Sequence, residues 1–213
     1  LQLRGWRDDD KPAYAALNAD PEVMAHFPST LTAAQSDEMV DRFVAGWEQR
    51  GYGLWAVEVR ESGRFIGFVG LSSPTWQAPF TPCIEVGWRL SKDAWGRGYA
   101  PEAARAALAW GFEHLDPPRG EFVSFTTVAN TNSRRVMEKL GMLRDEEGDF
   151  DHPGVPEASP LRPHVLYRLP RPARPTVDGA KLAMLTGCLD ATGNSLFLLA
   201  SRQGLLTLVG VIG

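Results

Sequence analysis

The chain has 213 residues, of which 44% are apolar and 23% are charged, and its formal net charge is −4. These values are near those of an average soluble globular domain, and they exclude a disordered chain, a collagen-like chain and a strongly basic nucleic-acid binder. The two cysteines, Cys83 and Cys188, are too few for a disulfide framework and lack metal-ligand spacing. We therefore expect no metal and a reducing, cytoplasmic setting.

The first 169 residues read as alternating helices and strands. Thr32 can cap a helix that Gly51 ends, and Gly141 can end a later helix in the same way. The mixed order predicts an α+β fold with a mostly antiparallel, twisted sheet flanked by helices. In chain order we predict strand Leu1–Trp6, helices Asp10–Asn18, Pro21–Phe27 and 32–50, strands Leu54–Arg60, Phe65–Leu71 and Cys83–Leu90, helix Pro101–His114, strand Glu121–Val128, helix Asn132–Leu140, and two last strands from Met142 onward and over Val165–Leu169.

Composition changes near the end of the chain. Prolines cluster in residues 170–178, which predicts an extended linker after a domain of residues 1–169. The tail, residues 179–213, is apolar, and we expect it to be helical. Its segment 187–200 resembles a helix of EamA-type drug/metabolite transporters, although 35 residues are too few for a transporter. A fusion or truncated fragment, a membrane anchor and a helix packed on the domain all stay open.

The sharpest local signal is the segment Trp95-Gly96-Arg97-Gly98-Tyr99-Ala100-Pro101-Glu102, between a predicted strand and a predicted helix. Two glycines allow a tight turn and close approach of a ligand. The amides of the loop and of the first helical turn lack intrahelical partners and lie at the positive end of the helix dipole. A phosphate or pyrophosphate fits such a site. The segment is neither a Walker loop nor a dinucleotide fingerprint.

Two motifs together resemble the GNAT N-acetyltransferases. The stretch Glu85–Leu90 followed by residues 95–103 is similar to their motif A, and Asn130–Met142 is similar to their second acetyl-CoA motif. In detail the residues of the two motifs resemble those of the RimJ/RimL branch, which acetylates protein N-termini and small amines. The resemblance covers roughly residues 1–169. It implies acetyl-CoA as co-substrate and an amine as the acceptor.

The resemblance also implies the cofactor contacts. The strand matching Glu85–Leu90 splays from its neighbour and binds the pantetheine arm through its backbone, while the glycine loop holds the pyrophosphate. Where the family often has Gln or Arg, this chain has Trp95. Asn130 matches the family's CoA-binding asparagine, and it could also cap a helix. The residues implied to contact the cofactor are Trp88, Arg89, Leu90, Gly96, Arg97, Gly98, Tyr99, Ala100 and Asn130.

Acyl transfer to an amine needs a base, because an amine near neutral pH is mostly ammonium, and it needs a donor to the oxyanion. We favour Glu85 as the base, since a carboxylate beside a cleft can have a raised pKa. Alternatives are His26, Asp151 and His152. Many family members place a tyrosine where this chain has a methionine that cannot donate. Ser133 is the nearest hydroxyl and could hydrogen-bond the departing sulfur.

The acceptor is not readable from the sequence. We expect the acceptor side to come from Asn18–Thr30 and Arg144–Pro163, and the second of these carries six acidic residues that could suit a cationic amine or simply be solvated. Two other functions stay open, a catalytically weak acetyl-CoA-binding module and a membrane-attached fusion fragment. We expect no nucleic-acid partner, and contact with a membrane only if the tail is genuine. The oligomeric state is not readable.

Overall fold

The computed structural model describes residues 1–172, so most of the predicted linker and all of the tail lie outside the described residues. Within them, seven strands form one sheet, flanked by four α-helices. The strands are β1 (Gln2–Arg4), β2 (Leu54–Val59), β3 (Arg64–Ser72), β4 (Glu85–Leu90), β5 (Glu121–Thr127), β6 (Leu143–Asp151) and β7 (Pro163–Pro170), and the helices are α1 (Lys11–Ala19), α2 (Ala33–Arg50), α3 (Tyr99–His114) and α4 (Thr131–Lys139).

The sheet has the strand order β1-β2-β3-β4-β5-β7-β6. Every neighbouring pair is antiparallel except β4 and β5, which are parallel. The predicted α+β fold with a mostly antiparallel sheet is confirmed. The parallel pair is joined at a single register position, Glu85 opposite Val123, whereas β3 and β4 pair over six positions. The sheet therefore opens between β4 and β5 beyond Glu85.

Local signals set the helix ends. Thr32 accepts a hydrogen bond from the Gln35 backbone and the Gln35 side chain accepts one from the Thr32 backbone, which makes a capping box at the start of α2. Gly51 ends α2 with a left-handed φ of 73°. The helix predicted over Pro21–Phe27 is wrong: this segment forms a series of turns, because isolated bonds such as Phe27 N–H to the Met24 carbonyl never become a continuous helical ladder.

Side chains of β4 alternate between the two faces of the sheet. Ile84, Val86 and Leu90 are buried in the main core, together with one face of α3, and Trp88 packs against it. Ile84, Val86 and Trp88 therefore share one face of the strand. The opposite face of β4 carries Glu85, Gly87 and Arg89, and it is covered in part by the segment that connects α1 to α2. Burial of the first face fixes the register of the strand and so aims the second face at the opening of the sheet.

The last strand carries the fold to the edge of the described residues. Pro170, where β7 ends, is paired with Glu121, and the guanidinium of Arg171 donates to the carbonyls of Phe112 and Leu115 near the end of α3. No helix within residues 1–172 is long and apolar enough to span a membrane.

Candidate active site

The loop before α3 presents an anion-binding cradle. Gly96 and Gly98 have φ values of 74° and 79°, which favour glycine, and a Cβ at either position would have no other atom within 4 Å. In the described part of the chain, the backbone N–H groups of residues 96–100 have no hydrogen-bond acceptor. They lie at the N-terminus of the sixteen-residue helix α3. Open space, free donors and the helix dipole together fit a pyrophosphate.

Trp95 fixes this loop to the end of β4. Its indole Nε1 donates to the Leu90 carbonyl at 2.9 Å, and 41% of the residue is exposed. The Leu90 carbonyl is thus already used, which leaves the other main-chain groups at this end of β4 for a cofactor. The exposed Arg97 donates from Nε to the Asp93 carbonyl at 3.1 Å, so its side chain lies back against the turn before the loop.

Glu85 lies where the pairing of β4 and β5 stops. Its carboxyl accepts a hydrogen bond from the Ser72 hydroxyl at 3.3 Å, and burial raises the pKa of this carboxyl to about 8. One carboxyl oxygen lies 3.6 Å from the position that a Cβ on Gly87 would take. Glu85 therefore faces the open floor of the cleft and holds a proton that can exchange near neutral pH.

The start of α4 borders the cleft beyond the end of β5. Asn130 accepts a hydrogen bond from the Ser133 backbone through Oδ1 and donates from Nδ2 to the Thr126 hydroxyl at 2.9 Å. Its amide thus caps α4 and ties it to β5, as expected of a helix cap. The Ser133 side chain is partly exposed and makes no hydrogen bond in residues 1–172, so its hydroxyl is available.

The connection between α1 and α2 crosses the opening of the sheet. The Leu31 N–H donates to the Asn18 carbonyl at 3.0 Å and closes the base of this loop. The Asn18 side chain reaches β4, where its Oδ1 accepts from Arg89 at 2.7 Å. His26 reaches β5, where its Nδ1 lies 3.4 Å from the Thr127 hydroxyl, and burial lowers the pKa of this histidine. The loop is therefore one wall of the opening in the sheet.

An aromatic cluster covers the β5–β7 side of the same face. Phe125 on β5 packs against Trp76 from the β3–β4 connection and against Phe150 on β6, and two histidines complete the cluster. Burial lowers the pKa of His152, whose Nδ1 accepts from the Gly154 N–H at 3.0 Å. The amino-acid sequence carries no signal for this cluster, because its members come from four separate segments.

The acidic segment after α4 is partly neutralised by arginines. Asp145 pairs with Arg168 at 2.6 Å, Asp149 with Arg144 at 2.5 Å and Asp151 with Arg162 at 3.4 Å. Half of the six acidic residues therefore form ion pairs with arginines of the same hairpin. This finding weakens the expectation of an acidic rim that attracts cations, and it makes Asp151 a poor candidate for the base.

The Cys83 thiol on this face is not activated as a nucleophile. Cys83 is buried and free, and burial raises the pKa of its thiol to about 11, so the thiol stays protonated at neutral pH. Within residues 1–172, no three His, Cys, Asp or Glu side chains are grouped so that they could hold a metal ion. Glu85 is thus the strongly perturbed carboxyl beside the opening of the sheet.

Comparisons with known proteins agree with this geometry. The model of the family described as "Acetyltransferase (GNAT) domain" matches residues 1–143. The chain belongs to the GNAT acetyltransferase family. The uncharacterized protein YkkB of Bacillus subtilis is 34% identical to this acetyltransferase over 148 residues, 67% of this chain and 81% of YkkB.

Two further comparisons add function and fold. The FsC-acetyl coenzyme A-N(2)-transacetylase of Aspergillus fumigatus is 36% identical over 157 residues, 66% of this chain and 63% of that protein. The crystal structure of an acetyltransferase from Agrobacterium tumefaciens matches with a TM-score of 0.61 at 29% identity, covering 78% of this chain and 88% of the other. This chain is therefore an N-acetyltransferase that uses acetyl-CoA, as the two sequence motifs predicted.

Proposed function

We propose that the enzyme transfers the acetyl group to a primary amine, of a small molecule or a protein N-terminus, by direct attack of the amine on the thioester. Bound acetyl-CoA supplies an activated acetyl group. The position of the Glu85 carboxyl at the edge of the open sheet, where burial raises its pKa to about 8, is the observation that carries the proposal. A base with a pKa near the working pH can accept the proton of an ammonium and return it to solvent.

The cofactor contacts are proposed from the same geometry. The free amides of Gly96–Ala100 would hold the pyrophosphate. Main-chain groups of Trp88 and Arg89 and the N–H of Leu90, whose carbonyl already accepts from Trp95, would hold the pantetheine arm. Arg97 adds positive charge nearby. Asn130 would act by positioning the start of α4, where the Ser133 hydroxyl can donate to the departing sulfur. The protonated thiol of Cys83 argues against a covalent route through that residue.

The finer assignments follow from the sequence. The residues of the two motifs support the RimJ/RimL-like branch. The low cysteine count supports a cytoplasmic setting. We propose that residues 1–169 form the acetyltransferase domain, 170–178 a linker, and 179–213 a tail outside the catalytic unit. Fractionation of the full chain beside residues 1–175 tests the tail. Membrane association that depends on the tail would support an attached enzyme instead.

The test of the base is the pH dependence of kcat/KM for a panel of primary amines with acetyl-CoA. Wild type should gain activity as Glu85 loses its proton, up to about pH 8, before the amine itself titrates. Glu85→Gln should lower kcat/KM by about 100-fold and remove the limb near pH 8, since a general base contributes on the order of 10²–10⁴. Calorimetric titration should show unchanged affinity for acetyl-CoA.

Two outcomes would contradict the assignment. An unchanged rate and pH profile in Glu85→Gln would mean that Glu85 is not the base and would favour His26 or His152. Variants of these two histidines would be assayed in parallel. Binding of acetyl-CoA without transfer to any amine would favour the weak acetyl-CoA-binding module. Ser133→Ala should lower kcat by about tenfold or less, because it removes one hydrogen bond to the departing sulfur.

A further inference from the structure

Arg89 lies on the acceptor face of β4, in line with Gly87 and Glu85. A Cβ on Gly87 would have only the Glu85 carboxyl within 4 Å, so the floor between Glu85 and Arg89 is open. At about 3.3 Å per residue, the two Cα atoms are roughly 13 Å apart. Glu85 and Arg89 thus lie at the two ends of one open stretch of this face.

The guanidinium of Arg89 is held in place without a carboxylate. Nη1 donates to Asn18 Oδ1 at 2.7 Å, and the Phe27 and Phe68 rings lie 4.1 and 5.6 Å from Cζ. Asn18 is fully buried and itself donates to the Ser36 hydroxyl. Arg89 makes no ion pair within residues 1–172, and its Nε is buried with no hydrogen-bond acceptor.

Arg4 shows how this chain treats a buried structural arginine. Its side chain is 8% exposed, its two terminal nitrogens each donate to Asp10 at 2.7 Å, and its Nε donates to Glu58 at 2.7 Å. Every part of that guanidinium faces a carboxylate. The Arg89 guanidinium is also largely covered, but its hydrogen-bond acceptor is the neutral amide of Asn18. A purely structural arginine would be expected to have an acidic partner at that position.

An arginine keeps its charge even when burial lowers its pKa, as it does for Arg89. A covered charge without a counter-charge is costly, and a carboxylate is the group whose shape and charge match a guanidinium. We propose that Arg89 selects acceptor amines that carry a carboxylate, which binds the guanidinium while the amine lies toward Glu85. The inference rests on the proposed function, because it names the substrate class of the same site.

The test compares acceptors that differ only in the carboxylate. The full chain is assayed with acetyl-CoA and a panel of α- and ω-amino acids, each paired with its own carboxamide. The observable is the ratio of kcat/KM for the acid to that for the amide, measured in wild type and in each variant. Taking the ratio between proteins cancels the different nucleophilicity of the two amines.

Wild type should prefer the acid of at least one pair, and Arg89→Gln should lower its acid-to-amide ratio at least tenfold. Any effect of the substitution on the proposed cofactor contact of the Arg89 main chain falls on the acid and the amide alike, so it cancels in this ratio. Arg89→Lys, which keeps a charge, should retain part of the preference. Arg42→Gln, at a 66% exposed arginine on α2, is the matched control and should leave the ratio unchanged.

Asn18→Asp distinguishes the selection of carboxylates by Arg89 from a purely structural role of that arginine. The substitution keeps the shape of the side chain and puts a carboxylate where the Asn18 amide oxygen now accepts from Arg89. It should raise the melting temperature by pairing the guanidinium, and it should lower the acid-to-amide ratio as Arg89→Gln does. Higher stability with an unchanged ratio would overturn the proposal.

Other results also decide it. Equal use of acids and amides by wild type, or an equal loss of both in a folded Arg89→Gln, would overturn the selection of carboxylates. If no amine is acetylated although acetyl-CoA binds, the proposed function fails by itself. The same pairs are then titrated into the CoA-saturated protein. Tighter binding of acids that Arg89→Gln abolishes upholds the inference, and equal or absent binding overturns it.

Discussion

The cofactor side and the acceptor side proposed for the cleft differ in the groups that they present. The cofactor side offers main-chain donors of residues 96–100, arranged by two glycines with positive φ. The acceptor side offers side chains, Glu85 and Arg89 from β4 and His26 from the crossing loop. Recognition by main chain tolerates changed side chains and fails when the backbone is blocked. Recognition by side chains fails when those side chains are replaced, even if the backbone is unchanged. Different substitutions should therefore impair each side.

Gly98→Glu should have the largest effect, on the cofactor side alone. The new side chain brings bulk, a negative charge and a strained φ of 79° into the cradle. We expect the Kd of acetyl-CoA to rise at least about 1,000-fold, a loss of about 4 kcal/mol. Gly98→Ala is the control, because it adds the backbone strain without bulk or charge and should cost tenfold or less. Retained affinity in Gly98→Glu would show that the anion site lies elsewhere.

Glu85→Gln should show how much the buried Glu85 carboxyl lowers the free energy of unfolding when it ionises. The folded state raises the pKa of Glu85 from 4.5 to about 8, so it binds this proton more tightly than the unfolded chain does. Ionisation of Glu85 therefore destabilises the folded wild type as the pH rises from 5 to 9, by about 4 kcal/mol. The variant lacks that loss.

Denaturant unfolding at pH 5 and pH 9 measures this difference. Glu38→Gln, at a 70% exposed carboxyl on α2, is the matched control and should follow the wild type. Parallel stability curves for wild type and Glu85→Gln would mean that the carboxyl is not desolvated in the folded protein.

Gly87→Val should act on the acceptor side only. Its side chain would fill the open floor between Glu85 and Arg89, where the structure shows no other atom within 4 Å except the Glu85 carboxyl. We expect the KM of the acceptor to rise about tenfold or more, while the Kd of acetyl-CoA stays within threefold, since the backbone of β4 is unchanged. A matching loss on both sides would break the separation between them.

Trp95→Phe should have the smallest effect. It removes the hydrogen bond from the indole to the Leu90 carbonyl and keeps most of the ring. A single neutral hydrogen bond is worth about 1 kcal/mol, so the Kd of acetyl-CoA should rise about three- to tenfold. Calorimetry measures this change, and a loss as large as that of Gly98→Glu would show that Trp95 contacts the cofactor itself.

The same difference explains how much the sequence could predict. The cradle was predictable, because a glycine pattern between a strand and a helix dictates the backbone there. The hairpin of β2 and β3, the capped helix α2 and the alternation along β4 were predictable for similar local reasons. The turns over Pro21–Phe27 were not, because helical spacing over seven residues does not supply a hydrogen-bonded ladder.

The acceptor side depends on contacts between distant positions. Arg89 meets Asn18 across 71 residues, and His26 meets Thr127 across 101. Spacing along the chain gives no signal for such pairs. The choice of Glu85 as the base stays a prediction from its position beside the cofactor motif, and its raised pKa depends on burial under segments that only the fold brings together.

The single pairing position between β4 and β5 divides the sheet into two blocks, β1 to β4 and β5 to β7. Little hydrogen bonding holds these blocks together beyond Glu85, so each can open against the other more readily than strands within a block. A ligand seated along that gap would bind the closed arrangement in preference to the open one. Cofactor occupancy would then govern how tightly the two blocks cohere, and hydrogen exchange at the amides facing the gap would slow when acetyl-CoA is present.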